Sequence, residues 1–184
     1  MKWSNWSASL ADVDFITALG RLLRDGELRD AFAANPTATV ETLGLRASDH
    51  ALFFQLQPAD LEFQARVLLR KRFDPIRQVL PRTCAQLEEH GWTEFQRYGR
   101  TSPPAKGNPI AEDATRFCQH LLRVTPGAVW TVEYNRARFA RSSRKCACYF
   151  VRAIPFRQKT FPGLQLFLRS RAPRWHEWLF HCGV

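Results

Sequence analysis

Apolar residues first recur along this chain at helical spacing. Between Asp12 and Arg24, Phe15, Ile16, Leu19, Leu22 and Leu23 form one stripe of an amphipathic helix that Asp12 or Asp14 would start. Gly26 ends that pattern, and Leu28 with Phe32 marks a short second helix closed by Asn35-Pro36. Asn35-Pro36, Asp74-Pro75 and Asn108-Pro109 each set an N-cap acceptor before a proline suited to the first helical position, so three helix starts are expected there. Ser48 can cap a short helix expected through Ala51, Leu52 and Phe53. Pro58 leads into the longest pattern, with Leu61, Ala65, Leu68 and Leu69 facing one way and Arg66, Arg70, Lys71 and Arg72 on or beside the other side. Helical turns follow from Pro75 to Glu89, broken by Pro81, and again from Trp92 to Tyr98.

Gly99 to Pro109 holds three prolines in series with glycines and no large apolar residue, which is the composition of a linker. Ile110, Ala114, Phe117, Cys118 and Leu121 then make one more helical stripe, and after Pro126-Gly127 the period shortens to two. Ala128 to Phe139 alternates, with Trp130, Val132 and Tyr134 opposite Thr131, Glu133 and Asn135, and reads as a strand. Cys146 to Ala153, the run Leu164, Leu166, Leu168, and Trp175 to Cys182 supply three more. The expected class is α+β: an all-α domain over 1–99, a linker over 100–108, and a domain over 109–184 made of one helix packed on a small four-stranded antiparallel sheet.

Charge divides the chain in the same place. Residues 1–100 carry 13 Lys and Arg against 13 Asp and Glu, whereas residues 101–184 carry 14 against 4, so the whole excess of +10 lies in the second part. A basic surface of this kind fits an acidic partner, whether protein, peptide or nucleic acid. With 45% hydrophobic residues the chain can bury a core, no run approaches the length of a membrane helix, and Met1 to Trp6 precede no apolar signal segment, so a cytoplasmic protein is expected.

The candidate chemistry is sparse. Cys146 and Cys148 point the same way on a strand and, with Cys182 and His176 or His181, invite comparison with a zinc site, but no Cys-x-x-Cys occurs and buried or half-buried thiols account for them. Cys118 and His120 lie two apart on a helix, about 200° from each other, and cannot share a hydrogen bond as nucleophile and base. Neither a glycine-rich dinucleotide loop nor a phosphate-binding loop is present. The basic positions Arg136, Arg138, Arg141, Arg144, Lys145, Arg152, Arg157, Lys159, Arg169, Arg171 and Arg174, interleaved with aromatics, keep a nucleic-acid-binding protein or transcriptional regulator open as an alternative. A small sheet with a free edge also accepts an extended peptide as an added strand. Leu164, Leu166, Leu168, Trp178 and Phe180 are the candidate peptide-binding residues, unless they form the core face of the sheet.

The helical half carries a resemblance. Asp14-Phe15-Ile16-Thr17-Ala18-Leu19-Gly20-Arg21-Leu22-Leu23-Arg24-Asp25, Leu28-Arg29-Asp30-Ala31-Phe32 with Asn35-Pro36, and Gln64-Ala65-Arg66-Val67-Leu68-Leu69-Arg70-Lys71-Arg72 before Val79-Leu80-Pro81 resemble the helical partner domain found beside multinuclear non-haem iron oxidases in peptide-maturation gene clusters, methanobactin biosynthesis among them. The resemblance implies a heterodimer in which iron and oxidative chemistry belong to the other subunit. This chain would be non-catalytic, without a cofactor or membrane of its own, and would recognise the leader of a precursor peptide whose cysteines become oxazolone and thioamide groups.

Overall fold

The computed structural model describes residues 13–104, 109–124, 128–156, 159–171 and 174–181. In chain order it contains α1 (Phe15–Arg24), α2 (Gly26–Ala34), α3 (Pro36–Leu43), α4 (His50–Phe53), α5 (Pro58–Val79), α6 (Pro81–Leu87), α7 (His90–Thr101), α8 (Pro109–Val124), α9 (Ala128–Arg141), and the strands β1 (Cys146–Phe156), β2 (Lys159–Arg171) and β3 (Arg174–His181). The protein is of α+β class. Among the described residues no helix is long and apolar enough to cross a membrane. The chain divides into two compact units, 1–70 with 99–103, and 71–98 with 104–184, so the division runs through α5 and α7 as well as past the proline-rich segment.

The first unit is built from short capped helices around one apolar core. Asp14 accepts the Thr17 amide at 2.8 Å, Asp25 accepts the Glu27 and Leu28 amides, and Asn35 accepts the Ala38 amide at 3.1 Å with Pro36 at the first helical position. Gly26 therefore begins α2 instead of merely ending α1. It also lies so close to Arg100 that a Cβ there would meet the Arg100 Cγ at 2.2 Å. Ala18, Leu22, Phe32, Val40, Leu43, Leu45, Phe53 and Leu61 are buried together. Arg29, 5% exposed, donates to the Leu22 and Leu23 carbonyls at the end of α1 and to Glu62.

One expected helix start is absent, because α5 runs on through Pro75. An interior proline costs a helix about 3 kcal/mol, yet Leu61, Ala65, Phe73, Ile76 and Leu80 fall on one buried stripe. Burying Phe73 and Ile76 returns roughly 1.5–3 kcal/mol each, which offsets the proline. The chain turns instead at Leu80, and Pro81 opens α6.

In the second unit, Phe73, Phe95, Tyr98 and Phe117 pack ring against ring around Asp113, a carboxylate only 1% exposed. Arg72 grips Asp113 through two nitrogens and Tyr98 donates its hydroxyl to it at 3.0 Å. The segment from Ala128, expected to be a strand, is the helix α9, so 109–184 holds two helices and three strands among its described residues instead of one helix and four strands. The reason is burial on several sides. Trp130, Glu133 and Ala137 occupy one helical stripe and Val132, Asn135 and Phe139 another, and both sets are buried, because α9 packs against α6 and α8 as well as against β1 and β2. A helix covered on more than one side loses the polar stripe that marks amphipathic helices in sequence, and its Trp, Val, Thr and Tyr then imitate a strand.

The strands form an antiparallel meander in the order β1-β2-β3. Phe167 stacks on Phe139 of α9 at 4.8 Å on the inner side of the sheet.

Candidate functional site

The register of the meander determines what its outer face presents. Cys146 pairs with Leu168 and Leu168 with His176; Cys148 with Leu166 and Leu166 with Trp178; Phe150 with Leu164 and Leu164 with Phe180. These three rows lie on one face, because strand side chains alternate and the intervening residues point toward α9. Phe150, Leu164, Leu168, Trp178 and Phe180 are 39–62% exposed, and Leu166 is half-buried among them. All of Leu164, Leu166, Leu168, Trp178 and Phe180 thus stand on the open face, and the core face is formed by other residues. Phe150 joins them. Its alternation phase with Cys146 and Cys148 was the sequence signal for its place, but only the register to Leu164 locates it beside the others.

The inner face is held by polar groups as well as rings. Gln165 is fully buried and donates to the Val132 carbonyl at 3.0 Å and to Glu177 at 2.9 Å, while its oxygen accepts from Asn135 at 3.0 Å. Glu177, the one carboxylate in the sequence of the three strands, also pairs with Arg136 at 2.7 Å. It is therefore spent on the inner side. The outer face carries exposed Arg152 on β1, with exposed Lys145 and Arg174 at the ends of β1 and β3. A cation-rimmed apolar surface without its own acid favours an acidic amphipathic partner.

The two edges of the sheet differ. Outer strand β1 has a register shift between Val151 and Ile154 and contains Pro155, features that blunt an edge against further pairing. On β3, Trp175 to His181 pair with β2 residue by residue, without shift or proline. That edge is suited to accept an added strand.

Zinc ligation by the thiols meets a distance problem. Cys146 and His176 lie in the same row but on opposite outer strands, about 10 Å apart by strand spacing. Cys182 lies outside the described residues, and among those described no group of three or more His, Cys, Asp and Glu converges. Cys146 and Cys148, expected to be buried or half-buried, are free and exposed because they stand on the open face of the sheet; Cys118 is buried, and desolvation pushes its thiol pKa up. Cys84, half-buried near Glu133, is raised to about 11, mainly by burial.

Several arginines of the basic run are engaged within the fold. Arg136 holds Glu177, Arg141 reaches Glu112 at 3.5 Å, and Arg169 donates to the Phe139 and Ser142 carbonyls at the end of α9 while lying over the Phe139 ring. Arg157 lies outside the described residues.

Sequence reasoning missed a cleft of about 570 Å³ behind the sheet, lined by Arg82, Ala85 and Gln86 of α6, Val129 and Val132 of α9, Ile154 and Leu179. Glu133 sets its wall. Wholly buried on α9, it accepts the main-chain amides of Arg82 at 3.0 Å and Thr83 at 2.8 Å and so anchors the start of α6. A glutamate expected on one face of a strand gave no hint of that role.

Residues 55–123, from just before α5 to near the end of α8, match the family described as SCO6045-like, C-terminal domain. The match covers the helical centre of the chain and ends before α9 and the sheet. No curated protein and no solved structure matches the chain.

Proposed function

We propose that this chain is the non-catalytic partner subunit of a cytoplasmic iron-dependent oxidase that matures a precursor peptide, the role of MbnC in methanobactin-type copper-chelator biosynthesis, whose helical domain the sequence resembles. In this reading the iron and the conversion of cysteines to oxazolone and thioamide groups belong to the oxidase subunit. This chain binds that subunit and holds the leader of the precursor as a strand added to its sheet.

The observation that carries the reading is the unshifted edge of Trp175 to His181 beside an exposed apolar face with a cationic rim. Main-chain hydrogen bonds to β3 supply affinity for an extended peptide, and alternate side chains of that peptide meet Phe180 and Trp178, the β3 members of the rows that continue through Leu164 and Leu166. Support for docking of a second protein comes from the first unit, which exposes Ile16, Leu52, Phe54 and Phe63.

The test is co-expression with a candidate iron-oxidase subunit and its precursor peptide, followed by purification through a tag on this chain. An iron-loaded partner that co-elutes, with a mass change in the peptide, is the expected result. A lone chain that instead retains nucleic acid, released steeply by salt, overturns the reading in favour of a nucleic-acid-binding protein.

A further inference from the structure

We propose that the cleft between α6, α9 and the sheet is a specificity pocket for the added peptide, taking an apolar side chain in its interior and a neighbouring carboxylate at Arg82. The inference rests on the peptide-binding reading above and assigns the half of the peptide that the open face cannot contact. A strand added outside β3 projects alternate side chains to opposite sides of the sheet. One set meets Trp178 and Phe180. The other emerges beside Leu179, whose place on the inner phase of β3 makes it part of the cleft lining.

The pocket has the size and chemistry for such a residue. Its volume of about 570 Å³ falls within the range of pockets that hold small organic groups. Val132 and Ile154 are buried and, with Leu179, give it an apolar floor. Arg82 is exposed on α6, while its main-chain amide donates to Glu133. Among the described residues no carboxylate belongs to the lining, and both Glu133 oxygens are occupied by amides. Charge therefore selects an acidic peptide, and it argues against a second copy of this strongly basic unit as the occupant.

Selection of a random nonapeptide library by messenger-RNA display on the full-length chain tests the assignment. The expected outcome is enrichment of peptides that alternate apolar residues and carry an acid beside one of them. Two exposed positions then separate pocket from edge. Ala85→Trp, which fills the cleft from its rim, should weaken a selected peptide at least about tenfold, and Arg82→Glu should exchange the acidic preference for a basic one. Arg82→Gln, with the charge removed and the reach kept, should abolish the preference without reversing it. Thermal melts of the variants within a few degrees of the parent establish that they fold. Enriched peptides whose binding all three substitutions leave unchanged would overturn the pocket while leaving strand addition standing; absence of any enrichment would overturn the peptide-binding reading itself.

Discussion

The two units of the chain solve folding by different means. The first, with 8 basic against 9 acidic residues, is a set of short helices closed by local caps and one apolar core. The second, with 19 basic against 8 acidic residues, is organised by polar side chains that are fully buried and reach across long stretches of sequence: Asp113 to Arg72, Glu133 to the start of α6, Gln165 to Asn135 and Glu177. Local caps tolerate loss. A buried charge deprived of its partner does not, since its desolvation is left uncompensated.

The sharpest break of that comparison is Arg72→Met, which leaves Asp113 buried with Tyr98 alone and should cost about 3–5 kcal/mol in urea unfolding. Glu133→Ala removes the acceptor of two main-chain amides of α6 and should cost about 2–3 kcal/mol by the same measurement. In the first unit, Asn35→Ala removes one cap bond and should cost about 1 kcal/mol. On the open face the effect should be smallest. Phe180→Ser changes an exposed side chain of β3 and should move stability by less than about 0.5 kcal/mol while weakening peptide capture.

A pH dependence follows from His120. Burial is the main cause of a pKa below its ordinary value near 6.5, partly opposed by Glu94, whose carboxylate lies 3.9 Å away. The unfolded chain then binds the proton more readily than the folded one. Stability should be fully present above about pH 6.5 and fall as the pH drops through the lowered pKa of the folded state. Thermal melts from pH 7.5 to 5 should show that fall, and His120→Gln should flatten it.

The difference between the units also explains what the sequence disclosed. Helix α1 and the caps at Asp14 and Asn35 were legible because periodicity and capping act within a few residues, and the three strands from Cys146 onward were legible from alternation. Helix α9 was not. Its buried face is too broad to leave a polar stripe, and its strand-like composition reflects packing partners as distant as α6 and β2. Pro75 misled for the opposite reason, since a local signal was overridden by the stripe continuing through Phe73, Ile76 and Leu80. For the candidate site, the residues Leu164, Leu166, Leu168, Trp178 and Phe180 could be named from alternation. Which of the two faces they occupy, the greater freedom of the β3 edge, and the cleft behind it depend on register and on α9, which only the folded chain supplies.

Hydrogen–deuterium exchange of the full chain, with and without its precursor peptide in the presence of the oxidase subunit, tests the central claim most directly. The account predicts new protection at amides within Arg174–His181, with no new protection along β1. Protection confined to β1, or to the helices of the first unit, would contradict it.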